Sequence, residues 1–164
     1  MAVIHAPTPA SIAAAAATAS SAGTGAAAAP PAPPIDLLLV EPQFLLRRTV
    51  AAVARDMSLA RPQEITTVEA AVRTLSTRRF DALFIALDEE PAALELLARV
   101  RAGETQCEAG VPIAVTASAC DTALALKLKD LEVRRLLLRP FKVKDVLDAI
   151  VALRKPAAPG AEAA

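Results

Sequence analysis

Apolar residues along this chain follow two different spacings. Short, almost unbroken apolar runs recur from Ile35 onward, and such runs are typical of strands that are buried on both faces of a parallel sheet. Together with one shorter, more polar candidate at residues 64–67, these runs predict strands over residues 35–40, 82–87, 112–116 and 133–138.

Between these runs, apolar residues recur every three or four positions, which is the spacing of one face of an α-helix. The inward positions of the five predicted helices are Leu46, Val50, Val53 and Met57; Val68, Ala71, Val72 and Leu75; Leu94, Leu97 and Arg101; Leu124, Leu128 and Leu131; and Val143, Val146, Ile150 and Leu153. The last three helices are predicted over residues 91–102, 121–131 and 143–155. Five strands alternating with five helices predict an α/β fold with a right-handed, doubly wound parallel sheet.

The two ends of the chain differ from this pattern. Residues 1–34 carry no charged side chain and consist almost entirely of Ala, Pro, Ser, Thr and Gly, and residues 156–164 are similar. Such segments bury too little apolar surface to offset their ordering entropy, so we predict a disordered leader and a disordered tail around a domain at residues 35–155. Residues 12–19 have the composition of a weak signal peptide, but no Lys or Arg precedes them, which favours a cytoplasmic protein.

Charge and composition exclude several functions. Eighteen basic residues balance eighteen acidic ones, so no excess charge favours nucleic acid or a membrane surface. Cys107 and Cys120 match no metal or redox spacing. The only histidine, His5, lies in the leader, and no glycine-rich phosphate loop follows the first strand. These features argue against an enzyme and against a metal or other cofactor.

In doubly wound sheets, ligands bind beyond the carboxyl ends of the strands. Three stretches at or near these ends resemble the receiver domains of bacterial response regulators: residues 37–42 (LLLVEP) with 46–48 (LRR), residues 81–86 (DALFIA) with 94–97 (LELL), and residues 138–141 (LRPF). The last stretch is similar to the Lys-Pro-Phe signature of that family, with Arg in place of Lys. The resemblance extends from residue 35 to about residue 155.

The resemblance implies a flavodoxin-like (βα)5 fold with strand order 2-1-3-4-5 and a role in two-component, or phosphorelay, signal transduction. A working receiver accepts a phosphoryl group on an aspartate at the end of its third strand. It uses Mg²⁺ held by two acids after the first strand, a Thr or Ser after the fourth strand and a Lys after the fifth.

Transferred position by position, the resemblance implies a degenerate acceptor site. Glu41 matches the first metal-binding acid, whereas Pro42 takes the place of the second and has no ligand atom in its side chain. Counted from Asp81, the acceptor position is occupied by Ala86, which cannot be phosphorylated.

The remaining positions match the family's residue pattern in part. Thr116 matches the hydroxyl position, with Ala117 as a competing alignment. Arg139 keeps the positive charge of the family's Lys but is a planar fork instead of a point charge. Glu41 is interpreted either as a cap for the following helix or as the partner of Arg139 in a structural salt bridge.

The first functional hypothesis is a pseudo-receiver that signals through protein–protein contacts without aspartate phosphorylation. Receivers commonly pair or dock through helix 4, strand 5 and helix 5, so a protein partner or a homodimer is expected there. That surface carries the charged residues Lys127, Lys129, Asp130, Glu132, Arg134 and Asp145, a mixture of signs suited to complementary pairing, although an ordinary solvated face has the same appearance.

The alternative is a conventional Mg²⁺-dependent phosphoacceptor. It requires Asp88 to act as the acceptor through a two-residue slip in the third strand, which preserves the direction of the side chain. Glu41 would then belong to the metal site. A third hypothesis is that the fold binds another anion or a nucleotide at Arg139.

Overall fold

The computed structural model describes residues 32–154, so the predicted tail, His5 and nearly all of the predicted leader lie outside the described residues. In chain order, the elements are β1 (Ile35–Val40), α1 (Phe44–Asp56), β2 (Ala60–Ile65), α2 (Val68–Thr77), β3 (Ala82–Ala86), α3 (Glu90–Arg101), β4 (Ile113–Ala117), α4 (Thr122–Asp130), β5 (Arg135–Leu138) and α5 (Val143–Arg154).

All neighbouring strands are parallel, in the order β2-β1-β3-β4-β5. The predicted flavodoxin-like, doubly wound α/β fold is therefore confirmed. Parallel strands need a crossover between them, and the helices α1 to α4 supply the four crossovers.

Side chains of β1 alternate between two hydrophobic layers. Leu37 and Leu39 pack with the buried faces of α1 and α5, whereas Leu38 and Val40 pack with those of α2, α3 and α4. Because both faces of the central strands are covered by helices, these strands consist of continuous apolar runs.

The second strand was predicted at the right place in the element order, but its predicted bounds were wrong. Residues 60–65 form β2, and Thr67, which had been placed in that strand, instead caps α2 by accepting a hydrogen bond from the Ala70 N–H at 3.2 Å. The sequence of β2 is ARPQEI, which lacks an apolar run because β2 is an edge strand with one free side. Patterning therefore detects such a strand poorly.

Other boundaries shift by one or two residues. β3 ends at Ala86 instead of residue 87, and β4 runs from Ile113 to Ala117 instead of 112–116. β5 begins at Arg135, two residues later than predicted, because Glu132 and Val133 belong to the turn that ends α4.

The free side of β2 is protected against further strand pairing. Pro62 has no N–H to offer, and its carbonyl accepts a hydrogen bond from Arg55 Nη2 at 3.3 Å. Within residues 32–154, no helix is long and apolar enough to cross a membrane.

Candidate functional site

Four polar side chains meet at the carboxyl ends of the parallel strands. Glu41 directly follows β1, Asp88 lies two residues beyond β3, Thr116 belongs to β4, and Arg139 directly follows β5. Parallel strands end at the same edge of a sheet, so the topology alone brings these four positions together.

Arg139 connects the other three side chains. Its Nη2 atom donates to Thr116 Oγ1 at 3.1 Å and lies 3.4 Å from Glu41 Oε2. Its Nη1 atom donates to Asp88 Oδ1. The planar guanidinium therefore binds two carboxylates and one hydroxyl at once, which a single ammonium group would do less well.

This network is largely removed from solvent. The exposed fraction of the side chain is 2% for Glu41, 11% for Arg139 and 28% for Asp88. Two carboxylates face one guanidinium, so the single positive charge of Arg139 is already balanced by Glu41 and Asp88. Its Nε atom is buried and makes no hydrogen bond.

Glu41 has two roles in the structure. Its Oε1 atom accepts a hydrogen bond from the Gln43 N–H at 2.9 Å, just before α1 begins, while Oε2 faces Arg139. The salt-bridge interpretation of Glu41 therefore has a contact that corresponds to it. The cap interpretation does not, because Glu41 bonds the N–H of Gln43, the residue before α1, and Gln43 is the N-cap and makes no side-chain capping bond. Arg47 Nη1 also donates to the Glu41 carbonyl at 2.9 Å, which ties the loop between β1 and α1 to the first turns of α1.

Burial raises the pKa of the Glu41 carboxyl above its ordinary value of 4.5. The Gln43 N–H and the cations Arg139 and Arg47 oppose this shift, whereas the nearby Asp88 carboxylate reinforces it. Loss of water around Glu41 outweighs the attraction of its partners.

This raised pKa predicts a pH dependence of stability. The unfolded chain protonates Glu41 near 4.5 and the folded protein does so at higher pH, so the folded state binds more protons between these values. The contribution of Glu41 to the free energy of unfolding therefore falls as the pH rises through this window. Relative to the non-titrating Glu41→Gln variant, the wild type should become more stable as the pH is lowered from neutrality towards 4.5.

Urea unfolding at each pH measures this difference. Glu95→Gln, at an exposed position of α3, is the matched control and should give no such trend. A difference between wild type and Glu41→Gln that is independent of pH would contradict the assignment.

Ala86 lies beside this network at the end of β3. It is 3% exposed and lines a small cavity together with Pro42 and Asp88. Neither Ala86 nor Pro42 offers a side-chain ligand or nucleophile to that space.

A divalent cation fits these residues poorly. Arg139 already binds the carboxylates of Glu41 and Asp88, and Glu89, which lines the adjacent cavity, is exposed. Among residues 32–154, no group of three or more His, Cys, Asp or Glu side chains has a spacing that would hold a metal ion.

The sequence had placed Glu41, Thr116 and Arg139 in one cleft, and the structure brings them into contact. Thr116 is fully buried with its hydroxyl in the network, whereas the competing Ala117 is the last residue of β4. The pairing of Asp88 with Arg139 was not predicted. The alternative hypothesis had nevertheless aligned Asp88 with Ala86, because side chains two positions apart along an extended chain point the same way.

Comparison with solved structures identifies this architecture as the fold of response-regulator receiver domains. A response regulator from Thermotoga maritima is 17% identical, with a TM-score of 0.64 over 76% of this chain and 100% of that chain. The chemotaxis response regulator CheY4 of Vibrio cholerae is 16% identical, with a TM-score of 0.64 over 73% of this chain and 98% of that chain.

An orphan response regulator of H. pylori is 13% identical, again with a TM-score of 0.64, over 76% of this chain and 100% of that chain. The structural similarity shows the fold. At sequence identities this low, the site residues of these proteins cannot be assigned to this chain by comparison alone. No protein-family model matches the chain, and no curated protein matches its sequence.

Proposed function

We propose that this protein is a response-regulator-type receiver in two-component signal transduction that acts through protein–protein contacts without aspartate phosphorylation. The observation that carries the proposal is the Arg139 network. The guanidinium occupies the centre of the pocket and binds both available carboxylates, while the acceptor position carries Ala86. The receiver fold shared with response regulators supports the signalling role.

The proposed contact surface consists of α4, β5 and α5. Each element contributes one large apolar side chain to the solvent, namely Leu126 at 58% exposure, Leu138 at 48% and Val143 at 58%. The charged residues of this surface were named from the sequence, whereas Val143 was predicted to face inward, which was wrong. Exposed apolar side chains among charges of both signs suit a protein partner or a second copy of this chain.

A cytoplasmic location is part of the proposal. Cys107 is buried and Cys120 partly buried, and both are free thiols, as expected in a reducing compartment. The balance of basic and acidic residues offers nothing to favour nucleic acid or a membrane surface.

A conventional phosphoacceptor that uses Asp88 is the second candidate. One observation favours it: the Asp88 carboxylate lies in the pocket beside Arg139 and is 28% exposed. For this candidate, Arg139 would have to release Asp88 so that Mg²⁺ and a phosphodonor can reach it.

The two candidates differ in their response to a small phosphodonor. After incubation with acetyl phosphate and Mg²⁺, we expect the intact mass of the protein to be unchanged, because Ala86 cannot accept a phosphoryl group and Asp88 is held by Arg139. Asp88→Asn is the matched variant. A mass increase of one phosphoryl group that disappears in Asp88→Asn would replace the first candidate by the second.

A further inference from the structure

Arg101, the last residue of α3, forms a second guanidinium network near the amino-terminal ends of β4 and β5. Its Nε atom donates to the Leu131 carbonyl at 2.7 Å, and Nη2 donates to the Glu132 carbonyl at 3.1 Å. Nη1 donates to the carbonyls of Ala109 and Val111 at 2.6 and 2.8 Å. One side chain therefore joins the loop before β4 to the turn before β5.

All four acceptors are backbone carbonyls. Leu131 and Glu132 directly follow α4, where carbonyls lack helical partners and the helix dipole is negative. Burial lowers the pKa of Arg101, and the Glu132 carboxylate opposes that change. The side chain is thus partly desolvated in order to satisfy polar backbone groups.

The turn held by Arg101 has a conformation that its sequence does not favour. Glu132 has φ = 54°, the left-handed region where glycine is usual at the end of a helix. Its N–H donates to the Lys129 carbonyl at 2.9 Å, and the Val133 N–H donates to the Leu128 carbonyl at 3.0 Å. This is the double-bonded helix end normally made with glycine. Ser58, at φ = 53°, ends α1 with the same two bonds, so the motif tolerates a non-glycine residue, and at Glu132 the bonds from Arg101 are added to it.

We infer that Arg101 is a positioning residue that fixes the turn between α4 and β5, and thereby the placement of these two elements relative to each other. Leu126 lies in α4 and Leu138 in β5, so the turn lies between two parts of the proposed contact surface. The effect of Arg101 on the turn is inferred from its hydrogen bonds alone. The effect on association rests on the proposed function.

Hydrogen–deuterium exchange on Arg101→Met tests the effect on the turn. Backbone amides at residues 131–134 should exchange at least about tenfold faster than in the wild type, because the bonds that hold the turn are lost. Amides of β1, far from the turn along the sheet, should keep their protection. Arg101→Lys, which retains the charge but replaces the fork by a single ammonium group, should give an intermediate rate and serves if the Met variant fails to fold.

Arg99→Met is the matched control. Arg99 lies on the same helix, is 41% exposed and pairs with Glu104 at 3.3 Å, away from the turn, so its loss should leave the turn unchanged. Unchanged exchange at residues 131–134 in both Arg101 variants, or a uniform increase over the whole domain, overturns the inference.

Sedimentation equilibrium tests the effect on association, with a second copy of the chain as the probe. A wild-type dimer that Leu138→Glu disrupts and Arg101→Met weakens supports the positioning role at the contact surface. A dimer that Leu138→Glu disrupts but Arg101→Met leaves unchanged contradicts that role. A monomeric wild type contradicts the homodimer in the proposed function, while the exchange rates still decide whether Arg101 fixes the turn.

Discussion

Replacing Arg139 by Met should lower the free energy of unfolding by about 3–5 kcal/mol, the usual cost of leaving a buried charge without its partner. Glu41 is the carboxylate left behind, because its side chain is only 2% exposed and water cannot replace the guanidinium there. Asp88, at 28% exposure, keeps part of its hydration and should contribute less. Urea denaturation at neutral pH measures the change.

Arg135→Met is the matched control. Arg135 is exposed on β5, so its loss should change the free energy of unfolding by no more than about 0.5 kcal/mol. Similar small losses in both variants would mean that the Arg139 network contributes little.

A double-mutant cycle with Glu41→Gln isolates the contact between the two charges. Since Glu41 and Arg139 lie 3.4 Å apart in a buried setting, we expect a coupling energy of about 1–3 kcal/mol. Additive effects of the two substitutions would show that Arg139 is held by Asp88 and Thr116 instead.

The second large effect is expected when a carboxylate is placed at residue 86, the position that the resemblance to receiver domains assigns to the acceptor. Ala86→Asp should destabilise the protein by about 3 kcal/mol or more in the absence of metal, since Ala86 is buried and lines the same cavity as Asp88. Three carboxylates would then face a single guanidinium. Mg²⁺ at ten times its dissociation constant should recover about 1.4 kcal/mol.

The wild type should show no comparable response to Mg²⁺, because Arg139 already binds both of its pocket carboxylates. Ala86→Asn is the matched control: it has nearly the same volume without the charge, so its stability should not depend on Mg²⁺. Thermal unfolding with and without millimolar Mg²⁺ compares all three proteins. An equal rise in melting temperature for the wild type would show that Glu41 and Asp88 bind the ion unaided.

The sequence was sufficient for the sheet because β1, β3 and β4 are buried on both faces and consist of apolar runs. It was insufficient for β2, whose polar sequence reflects its single free side. The convergence of Glu41, Thr116 and Arg139 followed from topology, since all three lie at the carboxyl ends of parallel strands.

The contacts of long side chains did not follow from the sequence. Arg101 had been placed on the inward stripe of its helix by spacing alone, yet its guanidinium binds the carbonyls of Leu131 and Glu132 some thirty positions along the chain. The pairing of Asp88 with Arg139 likewise depends on the path of the loop after β3. Periodicity describes the direction of a side chain from its helix and not the position of an atom several bonds away.

The protected side of β2 has a consequence for how this protein can polymerise or misassemble. A neighbouring chain that approached β2 would meet a proline without an N–H and a carbonyl already bound by Arg55. Growth of a continuous intermolecular sheet is therefore disfavoured in that direction. Any ordered assembly through the edge strand β2 therefore has to rely on side-chain contacts, which depend on the sequence. It cannot rely on backbone hydrogen bonds, which any chain could offer.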